Sequence, residues 1–268
     1  MPLNNENYFS NENNMEYMSA SQFKDFLQCE VEALMKAKGE YAQETSNAML
    51  FGSYVDAYFS NELDQFKAQN PDMFNSKTGE LKAPFKNVEE VISAIENDPM
   101  MMKYLSGQHQ VVMTGTIAGV KFKIKVDSLL EDAIVDQKIM SSIKELVWKY
   151  DEETKRNRQV DFVEAYGYDI QGAIYQEIVF QNTGKKLPFI LAPTTKEENP
   201  DKALIQIDQE YLDKALELVK ELAPRFDAIK QGVIEPIGCG HCACCRKDLK
   251  VSEVVSYKAL FHKEESEE

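Results

Sequence analysis

The sequence predicts an α/β (α+β) domain, a mixed sheet flanked by helices with further helices added ahead of it. Two observations predict it. Apolar residues recur at helical spacing after Ser19 and again after Asn47. At His109 the period changes to two, and the stretches 109–119, 120–131 and 132–140 alternate or run apolar as strands do. With 268 residues, 43% of them hydrophobic, the chain can fill a real core. It contains no run of about eighteen apolar residues, so no membrane span is expected.

The elements follow in order. Residues 1–17 are polar, Asn-rich and aperiodic, which predicts a disordered tail. They also lack the basic start and apolar stretch of a signal peptide, so a cytoplasmic location with reduced thiols is expected. A domain over 18–237 opens with a helix at Ser19, Gln22 standing three positions on as a capping-box partner. Phe23, Phe26, Leu27, Val31 and Leu34 keep helical spacing, and Gly39 ends the run. A second helix spans 47–61 and carries Gly52 and Asp56. Residues 62–106 read as short helices and loops, punctuated by Pro71, Pro84 and Pro99. After the three strands a helix runs from Asp161 to Gln181, with Gly167 and Gly172 as points of interruption. LPFILAP and KALIQID are two more strands, and 209–231 is an amphipathic helix. Residues 238–268 form a cysteine-rich segment with an acidic tail.

The segment KFKIKVDSLLEDAIVDQKIM carries the most chemistry. A two-residue turn at Glu131 and Asp132 sets Asp127 opposite Asp136. Phe122, Ile124 and Val126 then share one face with Val135 and Ile139, while Lys123, Lys125, Asp127, Asp136 and Lys138 share the other. Two carboxylates directly opposite, with Cβ atoms about 5 Å apart, repel. A divalent cation converts that repulsion into a ligand pair, because Mg²⁺ takes hard carboxylate oxygens. Lys138 lies on the same side, where an ammonium can orient water or stabilise charge on phosphorus. The plain alternative is a solvated hairpin face.

Four stretches, taken in order, resemble the RecB-like branch of the PD-(D/E)xK nucleases, and most closely the phage and prophage exodeoxyribonuclease VIII (RecE-type) group. They are MSASQFKDFLQC, FGSYVDAYF, KVDSLLEDAIVDQKI and YDIQGAIYQEIV. The resemblance implies a restriction-endonuclease-like fold and metal ligands at Asp56, Asp127 and Asp136 for Mg²⁺ or Mn²⁺. It implies a catalytic lysine at Lys138, and Gln171 and Tyr175 on one DNA-side helix face, one turn apart. Asp56 departs from the family, which has histidine there; a harder oxygen ligand moves the site away from softer metals. The implied activity is exonucleolytic hydrolysis of linear double-stranded DNA from its ends in phage-type recombination. The implied partners are a single-strand annealing protein and further copies of the chain in a ring-like homo-oligomer.

Four of the five cysteines lie within seven residues. Cys239, Cys242 and Cys245 have the spacing of thiolates that hold zinc or an Fe–S cluster. Some RecB-like nucleases pair one N-terminal cysteine with three late ones around a [4Fe–4S] cluster, which would make Cys29 the fourth ligand. Zn²⁺ completed by His241 or Cys244, and no metal at all, stay open beside it. The net charge of −15 opposes DNA binding on average. Basic residues gather in KFKIK and at Lys149, Lys155, Arg156 and Arg158, which leaves room for a local phosphate path. Two rivals stand beside the nuclease reading: an inactive DNA- or protein-binding module of the same fold, and a metal-cluster protein whose cysteines carry the function.

Overall fold

The computed structural model describes residues 3–41, 45–151, 156–247, 250–251 and 254–257. The acidic tail, His262 and Lys155 lie outside them. Ahead of the sheet come α1 (Asn11–Glu16), α2 (Ala20–Gln28), α3 (Glu30–Lys38), α4 (Asn47–Phe59), α5 (Leu63–Gln69), α6 (Val88–Glu96) and α7 (Pro99–Tyr104). The strands β1 (Gln108–Ile117), β2 (Val120–Leu129) and β3 (Ile134–Met140) follow, then a ribbon of β4 (Val147–Asp151) and β5 (Arg156–Val160). The chain continues through α8 (Phe162–Tyr166), α9 (Tyr168–Thr183), β6 (Phe189–Thr195), β7 (Ile205–Gln206), α10 (Gln209–Lys230) and α11 (Ala243–Arg246).

The main sheet has the order β1-β2-β3-β6-β7, with β3 and β6 parallel and the other neighbours antiparallel. It is therefore the mixed sheet expected. One face packs on α2, α9 and α10 through Phe23, Phe26, Ile174, Ile178, Val219 and Phe226. The other packs on α4 and α6 through Phe51, Val55, Val91 and Ile95. β6 is buried along its whole length, as befits a strand covered on both faces. Gly172 allows α9 to lie close to it: a Cβ there would meet the Phe189 ring at 2.6 Å.

Several elements differ from expectation. The helix predicted from Ser19 to Gly39 is two helices, broken at Cys29, whose backbone is extended (φ −162°, ψ 111°). Nothing in the residue type signals that break, because the apolar spacing runs straight through it. The predicted capping box is half made. Ser19 Oγ accepts from Gln22 N at 3.2 Å, but the Gln22 side chain reaches the Asn14 carbonyl and Lys230 instead. Gly167, left-handed at φ 62°, does interrupt the helix after Asp161, whereas Gly172 does not. The β4–β5 ribbon was not anticipated, since its strands are short and mostly exposed.

The N-terminal segment corrects the expectation of a disordered tail. It holds α1, capped by Ser10, and Tyr8 is buried. Its polar composition hid this because polar atoms make much of the anchorage. The Lys123 ammonium donates to the Tyr8 carbonyl at 2.5 Å and to Asn14 Oδ1 at 2.8 Å.

Candidate active site

The hairpin register is the one the two-residue turn requires. Ser128 pairs with Val135 and Leu129 with Ile134, and Leu130 N donates to the Ala133 carbonyl across Glu131 and Asp132 at 2.9 Å. The ladder stops there. Instead of pairing backbone to backbone at Asp127, the strands fork, and Gln137 N donates to Asp127 Oδ2 at 2.9 Å. The alternation of β2 also breaks at this point. Val126 joins the core beside α9 with Ile124 and Phe122, while Val135 and Ile139 pack on the α4 side. The single-face grouping of these five expected above is thus corrected, although Asp127 and Asp136 remain neighbours.

The edge of β2 that β3 vacates keeps its carbonyls satisfied by other groups, as buried backbone requires. Met18 N takes the Lys121 carbonyl at 2.8 Å, the Tyr8 hydroxyl takes that of Lys123 at 3.4 Å, and the Tyr175 hydroxyl takes that of Lys125 at 3.0 Å. The fork is therefore a built opening into which side chains from both helical layers reach.

Asp136, only 2% exposed, is held on both oxygens. Gln171 Nε2 donates to Oδ1 at 2.7 Å, and Lys138 Nζ lies 2.5 Å from Oδ2. Burial opposes the charged form of Lys138, but Asp136 and Asp127 outweigh it and hold the ammonium above its ordinary range. Burial, then repulsion from Asp136 and Asp56, pushes Asp127 well above the usual carboxylate range, against Lys138 and the Gln137 N–H. Asp56, on α4, is raised by burial and by Asp136 and Glu62, against Lys125 and Lys138. Tyr168 lies near two ammoniums, with Lys24 at 5.4 Å and Lys138 at 5.5 Å from its ring centre. Burial, and next Lys138, depresses Lys24 to about 8.

All the sequence-predicted oxygen and nitrogen groups thus meet at the fork. Gln171 and Tyr175, expected together on a DNA-side helix face, are buried at 8% and 9% exposure and give their hydrogen bonds to Asp136 and β2. One participant was placed on this face by alternation without a role, and a second escaped sequence reasoning. Lys125 faces Asp56 electrostatically and lies 5.2 Å from the Phe9 ring. Gln110 donates to Asp56 Oδ1 at 2.9 Å, and no pattern in the strand marks it.

The donor set fits a hard divalent cation: carboxylates, buried so that their charge is poorly tolerated without a counter-charge. The aspartates are spread wider than a closed cage. Among the described residues, only the four thiols bring three or more His, Cys, Asp or Glu ligand atoms within 4.8 Å of one another. Mg²⁺ keeps several of its waters, through which a carboxylate too far for direct ligation would still contact the ion.

Those thiols are Cys29, Cys239, Cys242 and Cys245. Cys29 Sγ lies 3.7 Å from Cys242 Sγ and 3.5 Å from Cys245 Sγ, and Cys239 is 4.0 Å from Cys245. The extended break between α2 and α3 places Cys29 there. Backbone hydrogen bonding, from His241 first, brings the Cys239 thiol down to about 6. Cys244 is outside the set, and His241 Nδ1 is 2.9 Å from the Cys239 carbonyl. Gly238 permits the approach, since a Cβ there would lie 2.8 Å from Cys245 Sγ. Glu30 secures the same junction, binding Arg225 through both oxygens at 2.8 and 2.9 Å and accepting from Ile237 N at 2.7 Å.

Among the described residues no helix is long and apolar enough to cross a membrane. No curated protein matches the chain. Among solved structures it is similar to the crystal structure of a protein from Eubacterium rectale named "Putative exonuclease". The two are 48% identical, with a TM-score of 0.89, over 97% of this chain and 98% of that one. Residues 19–248 match the family described as PDDEXK-like domain of unknown function (DUF3799), a span that takes in both the forked sheet and the four thiols. On that match, and with the fork and its D-x-K strand in place, the chain belongs to the PDDEXK-like family DUF3799.

Proposed function

We propose that this protein is a Mg²⁺- or Mn²⁺-dependent exodeoxyribonuclease that hydrolyses linear double-stranded DNA from its ends. The observation that carries the reading is the convergence of Asp56, Asp127 and Asp136 with Lys138 at the fork of β2 and β3. The name of the 48% identical relative agrees with it. Asp56, Asp127 and Asp136 would hold the ion. When bound, the ion supplies positive charge at the phosphate and acidifies water beside it. Lys138 remains charged and directs the attacking water, as its contact with Asp136 suits it to do. Gln171 fixes the Asp136 carboxylate so that the ligand geometry is set before substrate arrives. The water oxygen gives up a proton to solvent as it forms the new P–O bond, and the bridging ester oxygen leaves and takes a proton from solvent.

Substrate preference, partners and assembly extend the reading. Digestion from ends would hand single strands to an annealing protein in phage-type recombination, and a ring of copies would enclose the duplex. The four thiolates would hold a structural metal. Three of their six separations, 3.5 to 4.0 Å, lie near the roughly 3.8 Å edge of a tetrahedron with Zn–S bonds of about 2.3 Å, and all are within 4.8 Å. A [4Fe–4S] cluster would use the same four thiolates spread farther apart. Metal analysis of anaerobically purified protein distinguishes them: one zinc and no colour, or iron with broad absorption near about 400 nm.

The test of the activity compares end-labelled linear duplex with covalently closed circles, each with Mg²⁺ or with chelator. Linear DNA should be degraded only with Mg²⁺, and circles spared. Rapid cutting of circles would make the protein an endonuclease, and degradation indifferent to chelator would remove the metal-dependent reading.

A further inference from the structure

The side chain at the fork whose chemistry is least explained is Gln110. It lies within β1, between the pairs His109 with Ser128 and Val111 with Val126, and so opposite Asp127. Unlike the strand residues around it, it adopts φ 52°. That left-handed conformation costs an L-residue free energy, glycine adopts it freely, and no turn requires it here. Gln110 is also 5% exposed. Its Nε2 donates to Asp56 Oδ1 at 2.9 Å and to Ser60 Oγ at 3.3 Å. Its Oε1, by contrast, is buried without a hydrogen-bond partner. A strained backbone, a fixed amide nitrogen and an unpartnered buried oxygen beside two carboxylates need a common explanation, since burying an acceptor unsatisfied is costly.

We propose that Gln110 belongs to the cation site, presenting Oε1 to the divalent ion while Nε2 fixes the orientation of Asp56. The left-handed backbone is what turns this side chain from the ordinary alternation of β1 toward the fork. A neutral amide oxygen is a hard ligand that adds no negative charge to a site already holding three carboxylates. The inference rests on the nuclease reading above.

Gln110→Gly separates a ligand role from a structural one. Glycine relaxes the left-handed backbone, so the melting temperature should stay level or rise. Affinity for Mn²⁺, followed by calorimetry or by the ion's electron paramagnetic resonance, should fall about 10- to 100-fold. Mn²⁺ is the probe because thiolates compete for it poorly. Gln110→Asn, which tolerates the same backbone with an amide one methylene shorter, should lose affinity likewise. Wild-type Mn²⁺ affinity in both variants would overturn the inference and leave the nuclease reading standing. A wild-type protein with no Mn²⁺ site sensitive to Asp136→Asn would overturn both.

Discussion

The oxygen site at the fork and the sulfur site at the chain's end are both assembled from distant segments, but they are held in opposite ways. At the fork each of the three carboxylates has a dedicated partner: Gln171 and Lys138 on Asp136, Gln137 N on Asp127, Gln110 on Asp56. The sheet and its two helical layers hold the carboxylates near one another against repulsion and burial. At the thiol cluster the ligands come from one extended residue between two helices and one short C-terminal turn. The contacts of Cys29 with Cys242 and Cys245, with Glu30 beside them, join those pieces. The fold makes the first site, whereas the second, on the metal-bound reading proposed above, would help to make the fold.

Substitutions that separate chemistry from stability break or sharpen that comparison. The largest effect should come from Asp136→Asn, which removes the central charge while keeping shape and the Gln171 contact. Degradation of linear DNA should fall by more than about 100-fold, beyond what loss of a supporting contact costs. The melting temperature should change little, because relief of the repulsion with Asp127 offsets loss of the ion pair with Lys138. A folded Asp136→Asn protein with wild-type rate would displace the reacting centre from the fork.

Gln171→Leu should come next, at about 10- to 100-fold in rate. It leaves the ligands in place and frees only the Asp136 carboxylate, so added Mg²⁺ should restore part of the rate. A rate unchanged from wild type would show that Gln171 is no more than a buried polar residue of α9.

At the other site the effect should move from rate to stability. Cys29→Ser and Cys242→Ser should lower the melting temperature by equal amounts, of about 4 to 8 °C if each removes roughly 2 kcal/mol of metal-linked stability. Activity per folded molecule below the transition should stay level. Unequal losses would mean that Cys29 is a buried thiol with no shared role.

The smallest effect should be that of Glu30→Ala, which leaves the thiols intact but frees Ile237 N and Arg225. A fall of about 2 to 4 °C or less is expected by differential scanning calorimetry. A larger fall than that of Cys29→Ser would make this junction, rather than the thiols, the principal tie.

Much of both sites was legible because it depends on local rules. Alternation and a two-residue turn suffice to oppose Asp127 and Asp136, and Lys138 follows by period two. Helical spacing puts Gln171 and Tyr175 on one face. Thiols three residues apart advertise a shared metal. Gln110 was illegible because glutamine carries no preference for the left-handed region, and only the surrounding strands impose it.

By itself, then, the sequence determined the mixed α/β class, the hairpin register and the candidate ligands, since each is a consequence of spacing along one or two elements. Tertiary structure decided that β2 and β3 fork, that Asp127 ends the alternation, that α2 and α3 part at Cys29, and that the polar N-terminus packs on β2. The reason is common to all four. Each replaces a local hydrogen bond or period with a contact between segments far apart in the chain, where neither propensity nor periodicity carries information.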